Sequence, residues 1–506
     1  MTLRPYQLTA VSDVEAATTS GIKRMMVVAP TGSGKTLIAA ELIRKAVAEA
    51  KRVLVLSHRV EIIKQTSQKL YDASIEHGII QAGFPTSPGE LVQVASIQTL
   101  WTRGLRLQKM ELPPAELLII DESHHAPAET YRKIIDSYPG AVLIGLTATP
   151  CRGDGRGLGG IFETIIECPQ VPALIEQKYL VGTKVYAPCV PDLKGVEVRK
   201  GDYVEAQLAE RMDRDDLVGD IVTHWHKFGE RRKTVCFATG VAHSLHITSE
   251  FNKAGVRAEH LDGATPKAER DAILLRLASG ETELVSNCMV LTEGWDMPEA
   301  SCIILARPTK KMGLFRQMIG RVLRPAENKT DAIVLDHAGA TFKHGFVEDP
   351  VEWTLRPDKL AVSPVHAARL NNKSDYSSRL IECSQCSALR VAGEPCPHCG
   401  FMPKRPPEAV VFRDGNLGLV DRAGRYAAFD TVDPKTQARW HAMLAHIADE
   451  RGYKPGWIGF KFKEKFGVWP PRTLPQPIRP TPECLSWVRS RIIAYAKSQR
   501  RADASS

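Results

Sequence analysis

Lys35 and Thr36 stand directly behind a Gly32-Ser33-Gly34 turn in the stretch MMVVAPTGSGKTLIAAEL, between an apolar run and a helix-like one. The backbone N–H groups of such a turn, with the helix N-terminus that follows, can surround phosphate oxygens. A lysine at that place neutralises β- and γ-phosphates, and the adjoining hydroxyl holds Mg²⁺. The strict pattern has glycine where this chain has Ala29. Further along, ELLIIDESHH ends an apolar run with Asp121, Glu122, Ser123 and His124. A carboxylate at a strand end can hold Mg²⁺, and its neighbour can accept a proton from an attacking water. Taken alone, DESH also suits a surface turn.

A second chemistry is written in CSQCSALRVAGEPCPHCG, where Cys383, Cys386, Cys396 and Cys399 form two C-x-x-C pairs. Four thiolates suit one tetrahedral Zn²⁺, with an iron–sulfur or redox site, or unliganded cysteines, as alternatives. A filled four-cysteine site has no open coordination position, so its task would be structural. His398 reads as exposed rather than as a ligand. The other seven of the 11 cysteines are scattered singly, which excludes a disulfide framework and agrees with a reducing compartment.

These groups need elements to hold them, and 506 residues are enough for two or three domains. RMMVVA, RVLVLS, ELLIID and AVLIGLTA read as buried strands and LIAAELIRKAVAEA as a helix, the pattern of a parallel α/β sheet. KTVCFA, ELVSN, SCIILA and DAIVLD begin a second series. The expected organisation is an α/β domain over 1–165, a connector over 166–214, a second α/β domain over 215–345 and a linker over 346–380. A small zinc ribbon built on the four cysteines over 381–403 and a basic α+β region over 404–506 follow, with a strand pair around VVFRDGNLGLVDRAGRY.

The net charge of +9 is concentrated: residues 451–501 hold twelve Lys or Arg against Glu464 and Glu483. Such an excess suits an anionic partner such as nucleic acid. There Lys461, Lys463 and Lys465 interleave with Trp457, Phe460, Phe462, Phe466 and Trp469. Cations for phosphates beside rings for bases would bind single strands or junctions, while an amphipathic helix with its rings in a small core is the alternative. No apolar run reaches bilayer length and MTLRPYQLTA lacks a signal-peptide core, so a cytoplasmic protein without a membrane partner is expected.

APTGSGKT, DESH, LTATP and QMIGRVLRP follow one another in the order found in superfamily 2 helicases of the DExH type, which this chain resembles over roughly residues 3–340. The resemblance implies two RecA-like domains with ATP and Mg²⁺ in the cleft between them. It places Arg4 and Gln7 at the adenine, Thr31, Gly32, Ser33, Gly34, Lys35 and Thr36 at the phosphates, and Thr36 and Asp121 at Mg²⁺. Gly294 and Asp296 of TEGWDMPEA and Gln317 would lie near the nucleotide, with Glu122 as the base. Arg321 and Arg324 are arginine-finger candidates, spaced to share one helix face. His124, Thr147 and Thr149 would couple hydrolysis to motion. By family position, Ser57, His58, Arg59, Ser96, Gln98, Thr99, Thr239 and Thr292 would grip a nucleic-acid backbone, although ordinary strand-end polar residues look the same. TATPCRGDGRGLGGIF and the cysteine module together resemble the bacterial RadD-like branch and related phage helicases, which act in DNA repair and recombination. This implies DNA, single-stranded, forked or branched, over RNA, and possible repair or replication proteins as partners. An RNA helicase and an ATP-gated DNA-binding scaffold remain as alternatives.

Overall fold

Runs of consecutive rather than alternating apolar residues build both large sheets, because helices cover both faces. The computed structural model describes residues 3–85, 87–150, 157–187, 191, 193–199, 201–292, 295–356, 363, 366, 380–402, 433–471 and 473–491. The first sheet contains β1 (Arg24–Val28), β2 (Val53–Ser57), β3 (Gly78–Ile80), β4 (Val92–Ser96), β5 (Leu117–Asp121), β6 (Val142–Thr147) and β7 (Thr164–Glu167). Its order is β3-β4-β2-β5-β6-β1-β7, with every pairing parallel. The carboxyl ends of the strands therefore lie on one edge, the edge where open α/β sheets bind ligands.

The second sheet repeats the design with β8 (Gly182–Tyr186), β11 (Thr234–Phe237), β12 (Ala258–Leu261), β13 (Leu284–Asn287), β14 (Cys302–Leu305) and β15 (Asp331–Asp336). It is also all parallel, in the order β12-β13-β11-β14-β15-β8. Between β8 and β11 a small antiparallel pair forms from β9 (Val198–Arg199) and β10 (Asp202–Tyr203). β16 (Leu380–Glu382) and β17 (Leu389–Val391) make the cysteine ribbon.

All eight strands read from apolar runs are present, and the structure adds others, two of which are hidden by polar residues. β4 carries Gln93, 3% exposed, whose amide donates to Ser87 O at 2.8 Å and Glu90 O at 3.2 Å. β12 carries Glu259 and His260, held by Arg276 at 2.5 Å and by Ser244 Oγ at 2.8 Å. The stretch expected to be a connector supplies the edge strand β8 of the second sheet and the last residues of β7, the edge strand of the first.

Part of the expected linker is a strap. After leaving the second sheet, the chain crosses back to the first, where Leu158 N and Gly159 N donate to Leu355 O at 3.0 and 2.9 Å. The Gln170 amide and the Val351 backbone exchange two hydrogen bonds of 2.8 Å. Glu348 Oε1 accepts from Thr183 N and Oγ1 at 2.9 and 2.6 Å. Trp353 and Leu355 pack on the first sheet's apolar cluster. The remaining linker residues 357–362, 364–365 and 367–379 lie outside the described residues.

Residues from Arg405 onward belong to a separate compact unit. Its described part packs the helices Pro434–Glu450 and Pro455–Phe466 around Trp440, Leu444, Ile458, Phe462, Cys484 and Val488. The strand pair expected around VVFRDGNLGLVDRAGRY lies outside the described residues. Among the described residues, no helix is long and apolar enough to cross a membrane.

Three histidines of the second α/β unit are buried and uncharged. Burial pushes His243 and His344 down to about 4 and His337 down to about 3. Their unfolded pKa is about 6.5, so below that value the unfolded chain binds more protons than the folded one. The stability they contribute is complete above about pH 6.5 and is lost as pH falls toward 4. Each should cost roughly 1 kcal/mol between pH 6.5 and 5.5, read as a falling urea midpoint over that interval.

Candidate active site

The loop after β1 is shaped by two left-handed glycines, Gly32 at φ 87° and Gly34 at φ 86°. Gly34 is the N-cap of the helix Lys35–Ala48, whose first turn has no acidic residue to compete for its free N–H groups. Gly34 is also constrained by space, because a Cβ there would meet Gln7 Nε2 at 2.6 Å. Gln7 is fully buried, donates to Ser33 O at 2.9 Å and accepts from Arg4 N at 2.9 Å. Lys35 Nζ reaches back to Ala29 O at 3.3 Å. Burial pushes its pKa down, while the carboxylates of Glu122 and Asp121 pull it back up.

Two aromatic residues that sequence reasoning missed complete this end. The Tyr6 hydroxyl donates to Ser33 O, and the Arg4 guanidinium lies 4.5 Å over the ring of Tyr179, itself 5.5 Å from Tyr6. The position of Tyr6 beside Gln7 was a usable signal. Tyr179 comes from the stretch between the sheets, and nothing local marks it.

At the ends of β5 and β6, Glu122 adopts φ 50°, an unusual value for a residue with a Cβ. Its N–H is held by Asp121 Oδ1 at 2.9 Å, so the turn separates the two carboxylates. His124 Nδ1 lies 3.4 Å from Glu122 Oε2 and 3.3 Å from Thr147 Oγ1, and that hydroxyl is 3.2 Å from Thr149 O and from Thr149 N. A polar chain thus runs from the carboxylate to the loop after β6. The turn can lie close because β6 has Gly145, where a Cβ would meet Phe162 Cζ at 2.6 Å and Ser123 Cβ at 2.8 Å.

The second sheet closes the site from the other side. The helix Met312–Gly320 ends with the bare backbone of Gly320 against the Thr31 side chain, where a Cβ has no room. Gln317, 6% exposed, lies on that helix. The helix stops before the arginines, so the expected common helix face is corrected: Arg321 is the C-cap and Arg324 lies beyond it. Their side chains diverge accordingly. Arg321 is 7% exposed and donates through Nε and Nη2 to Thr292 O at 3.0 and 2.6 Å, and through Nη1 to Trp295 O at 2.8 Å. Arg324 has its Cγ within 3.1 Å of a Cβ built on Gly32, and its guanidinium pairs with Asp296. Burial pushes Arg324 down to about 10, which leaves it charged at neutral pH. Gly294 lies outside the described residues.

Comparison with known proteins gives this cleft its family. Residues 1–152 match the family described as type III restriction enzyme, res subunit, and residues 215–326 match the helicase conserved C-terminal domain. A 51.5 kDa protein of a Lactococcus phage is 32% identical over 328 residues, covering 65% of this chain and 68% of the phage protein. The chain is a superfamily 2 helicase of the DExH type. IRC3 of Saccharomyces cerevisiae, named as an ATP-dependent helicase, is 32% identical over 381 residues, covering 71% of this chain but only 54% of the yeast protein. The DNA 3′-5′ translocase XPB2 of Sulfurisphaera tokodaii is 24% identical over 348 residues, 61% of this chain and 76% of that one. Among solved structures, a fragment named as an HsdR subunit of a type I restriction enzyme from Vibrio vulnificus shares the fold, with TM-score 0.55 and 21% identity over 71% of this chain and 70% of that one.

In this helicase the expected grips from Ser57 to Thr292 lie at or beyond the carboxyl ends of β2, β4, β11 and β13, but many of their hydroxyls turn inward. Ser57, Ser96, Thr99, Thr239 and Thr292 are buried. Ser96 Oγ donates to Gln98 Oε1 at 3.0 Å, Thr239 Oγ1 meets His243 Nδ1 at 2.8 Å and Thr292 Oγ1 donates to Met289 O at 2.9 Å. These side chains brace their loops, and the side chain of Gln98 is exposed. His58 stacks edge-on against His125 at 4.4 Å and is followed by Arg59, whose Nε lies 3.4 Å from His58 Nε2.

The helicase's four module cysteines converge, with all Sγ atoms within 4.8 Å of one another. Cys383 and Cys399 are 3.7 Å apart, as are Cys386 and Cys396. Four thiolates at about 2.3 Å from one tetrahedral Zn²⁺ lie about 3.8 Å from each other, so the cluster fits that ion. The module does not stand alone, because Ala388 and Cys386 join the second sheet's apolar cluster. In the C-terminal unit, Lys461 pairs with Glu464 at 2.6 Å, and Lys465 lies 4.4 and 5.5 Å over the rings of Trp440 and Trp487.

Gly145 provides a stability test of this packing. Gly145→Ala forces a methyl group against Phe162 and Ser123, and should destabilise the fold by about 1–3 kcal/mol in urea unfolding.

Proposed function

We propose that this helicase is a DNA-dependent ATPase that moves along or remodels DNA in the cytoplasm, in repair, recombination or replication. The observation that carries the reading is the cross-cleft approach of Arg324, from the second sheet, to Gly32 of the phosphate loop. The names of relatives that act on DNA, XPB2 among them, favour DNA over RNA.

In this reading Lys35 and the N–H groups from Thr31 to Thr36 hold the β- and γ-phosphates, Gln7 and Arg4 face the adenine, and Gln317 and Asp296 border the nucleotide. Thr36 and Asp121 would hold Mg²⁺, which neutralises phosphate charge when bound. Glu122 takes the proton of the attacking water as its oxygen bonds the γ-phosphorus and the bond to the β–γ bridging oxygen breaks. Arg324 leaves Asp296 for the charge that develops on the transferring group, a shift available only while the cleft is closed. Arg321 acts as a positioning residue, tying the carbonyls of Thr292 and Trp295 to the turn that carries Arg324. Zn²⁺ would be held by Cys383, Cys386, Cys396 and Cys399 as a structural ion.

ATP turnover with single-stranded, forked and duplex DNA against matched RNA tests the reading. Lys35→Ala and Glu122→Gln should nearly abolish DNA-stimulated turnover, and Arg324→Ala should lower it by about 10³-fold. Arg321→Ala should retain DNA-free turnover and lose the stimulation by DNA. Full turnover in the Lys35 or Glu122 variant contradicts the assignment, and stimulation by RNA alone overturns the choice of polymer. Metal analysis should find about one zinc per chain, and its absence from protein purified without chelator contradicts the zinc reading.

A further inference from the structure

Among the described residues, most aromatic residues of the C-terminal unit lie in its own core. Phe462 is 2% and Trp440 6% exposed, and Tyr453, Trp457, Phe466 and Trp487 pack against them. Two rings are left out of that core. Phe460 is 67% exposed and Trp469 56% exposed, yet they contact each other at 5.4 Å with their planes 65° apart. Trp469 lies beyond the helix Pro455–Phe466 and folds back onto it over Gly459, where a Cβ would already touch the indole at 3.4 Å. Lys463 places its Nζ 4.6 Å from the Trp469 ring. The arrangement is a pair of exposed rings in contact, with the Lys463 ammonium over the indole and neither ring in the unit's apolar cluster.

The surrounding charge indicates what covers it. The helix Pro455–Phe466 has one acid, Glu464, which is held by Lys461 at 2.6 Å and lies 3.8 Å from Arg491. The face with the rings therefore presents positive charge beside exposed π surface. A duplex hides its base faces in the stack, and an acidic protein surface would leave the rings without a partner of their own shape. An unpaired strand offers phosphates and free base faces together.

We infer that Phe460 and Trp469, with Lys463, form a base-stacking site for an unpaired DNA strand. The inference rests on the reading that the C-terminal unit binds nucleic acid, and deepens it by naming the part of the strand that is read. Bases stack on the rings without regard to sequence, and Lys463 meets the adjoining phosphate. Of the three lysines expected there, Lys463 is the one at the exposed rings.

The test measures binding of the full chain to two labelled strands of equal length and charge by fluorescence anisotropy, one an oligothymidylate and the other with abasic sites in place of its bases. The unsubstituted protein should prefer the base-bearing strand by about tenfold or more. The Phe460→Ala/Trp469→Ala protein should lose that preference while keeping its affinity for the abasic strand and its DNA-free ATP turnover, and Trp469→Phe should retain most of the preference. An unchanged preference in the double variant, or none in the unsubstituted protein, overturns the stacking site. Lys454→Glu/Lys463→Glu tests the underlying reading separately: unchanged abasic-strand affinity there means that the unit does not touch the phosphates at all. If the double variant binds both strands normally but loses a protein partner, the surface is a protein interface and the inference fails.

Discussion

A glycine backbone against a threonine side chain sets the distance between the two large sheets. Gly320 has no room for a Cβ because Thr31 of the phosphate loop fills it. That approach brings Arg324 to Gly32 while Arg321 stays engaged with the loop behind. A longer side chain at 320 would hold the two sheets apart, and every cross-cleft interaction would weaken together. Burial pushes both Lys35 and Arg324 down in pKa, so in the proposed role each would gain from the negative charge of a phosphate.

From that contact two polar routes lead outward. On the first sheet, Glu122, His124, Thr147 and Thr149 follow one another within hydrogen-bonding or near-contact distance. On the second, three hydrogen bonds from Arg321 take hold of the carbonyls of Thr292 and Trp295. Each route joins the phosphate site to a loop at a strand's carboxyl end. Each sheet is all parallel, so each of those loops lies on the carboxyl side of its own sheet.

Both large sheets and the glycine turn ahead of the helix Lys35–Ala48 were legible in the sequence because they depend on local patterns: continuous apolar runs, glycines at left-handed positions and a lysine at a helix start. β4 and β12 were not, since Gln93, Glu259 and His260 look like surface residues until their partners are known. The same limit hid the role of Arg321. Spacing suggested a helix face shared with Arg324, but the helix ends at Gly320 and the carbonyls that hold Arg321 come from a loop some thirty residues earlier. Tyr179 was equally invisible, because what it stacks on is at the far N-terminus. The four cysteines declared their cluster through spacing alone, yet their packing on the second sheet's core came from tertiary structure.

The returning segment 346–356 changes what kind of movement the two α/β units can make. They are joined once by the chain that runs from β7 into β8, and a second time where Val351 and Leu355 bond the first unit and Glu348 bonds Thr183. Two separate attachments define an axis, as two pins do for a door. Separation by straight withdrawal would break the second attachment, whereas a swing about the line through both leaves them intact. A stroke of the proposed helicase would then be an angle about that line, carrying the arginine turn to and from the loop of Gly32.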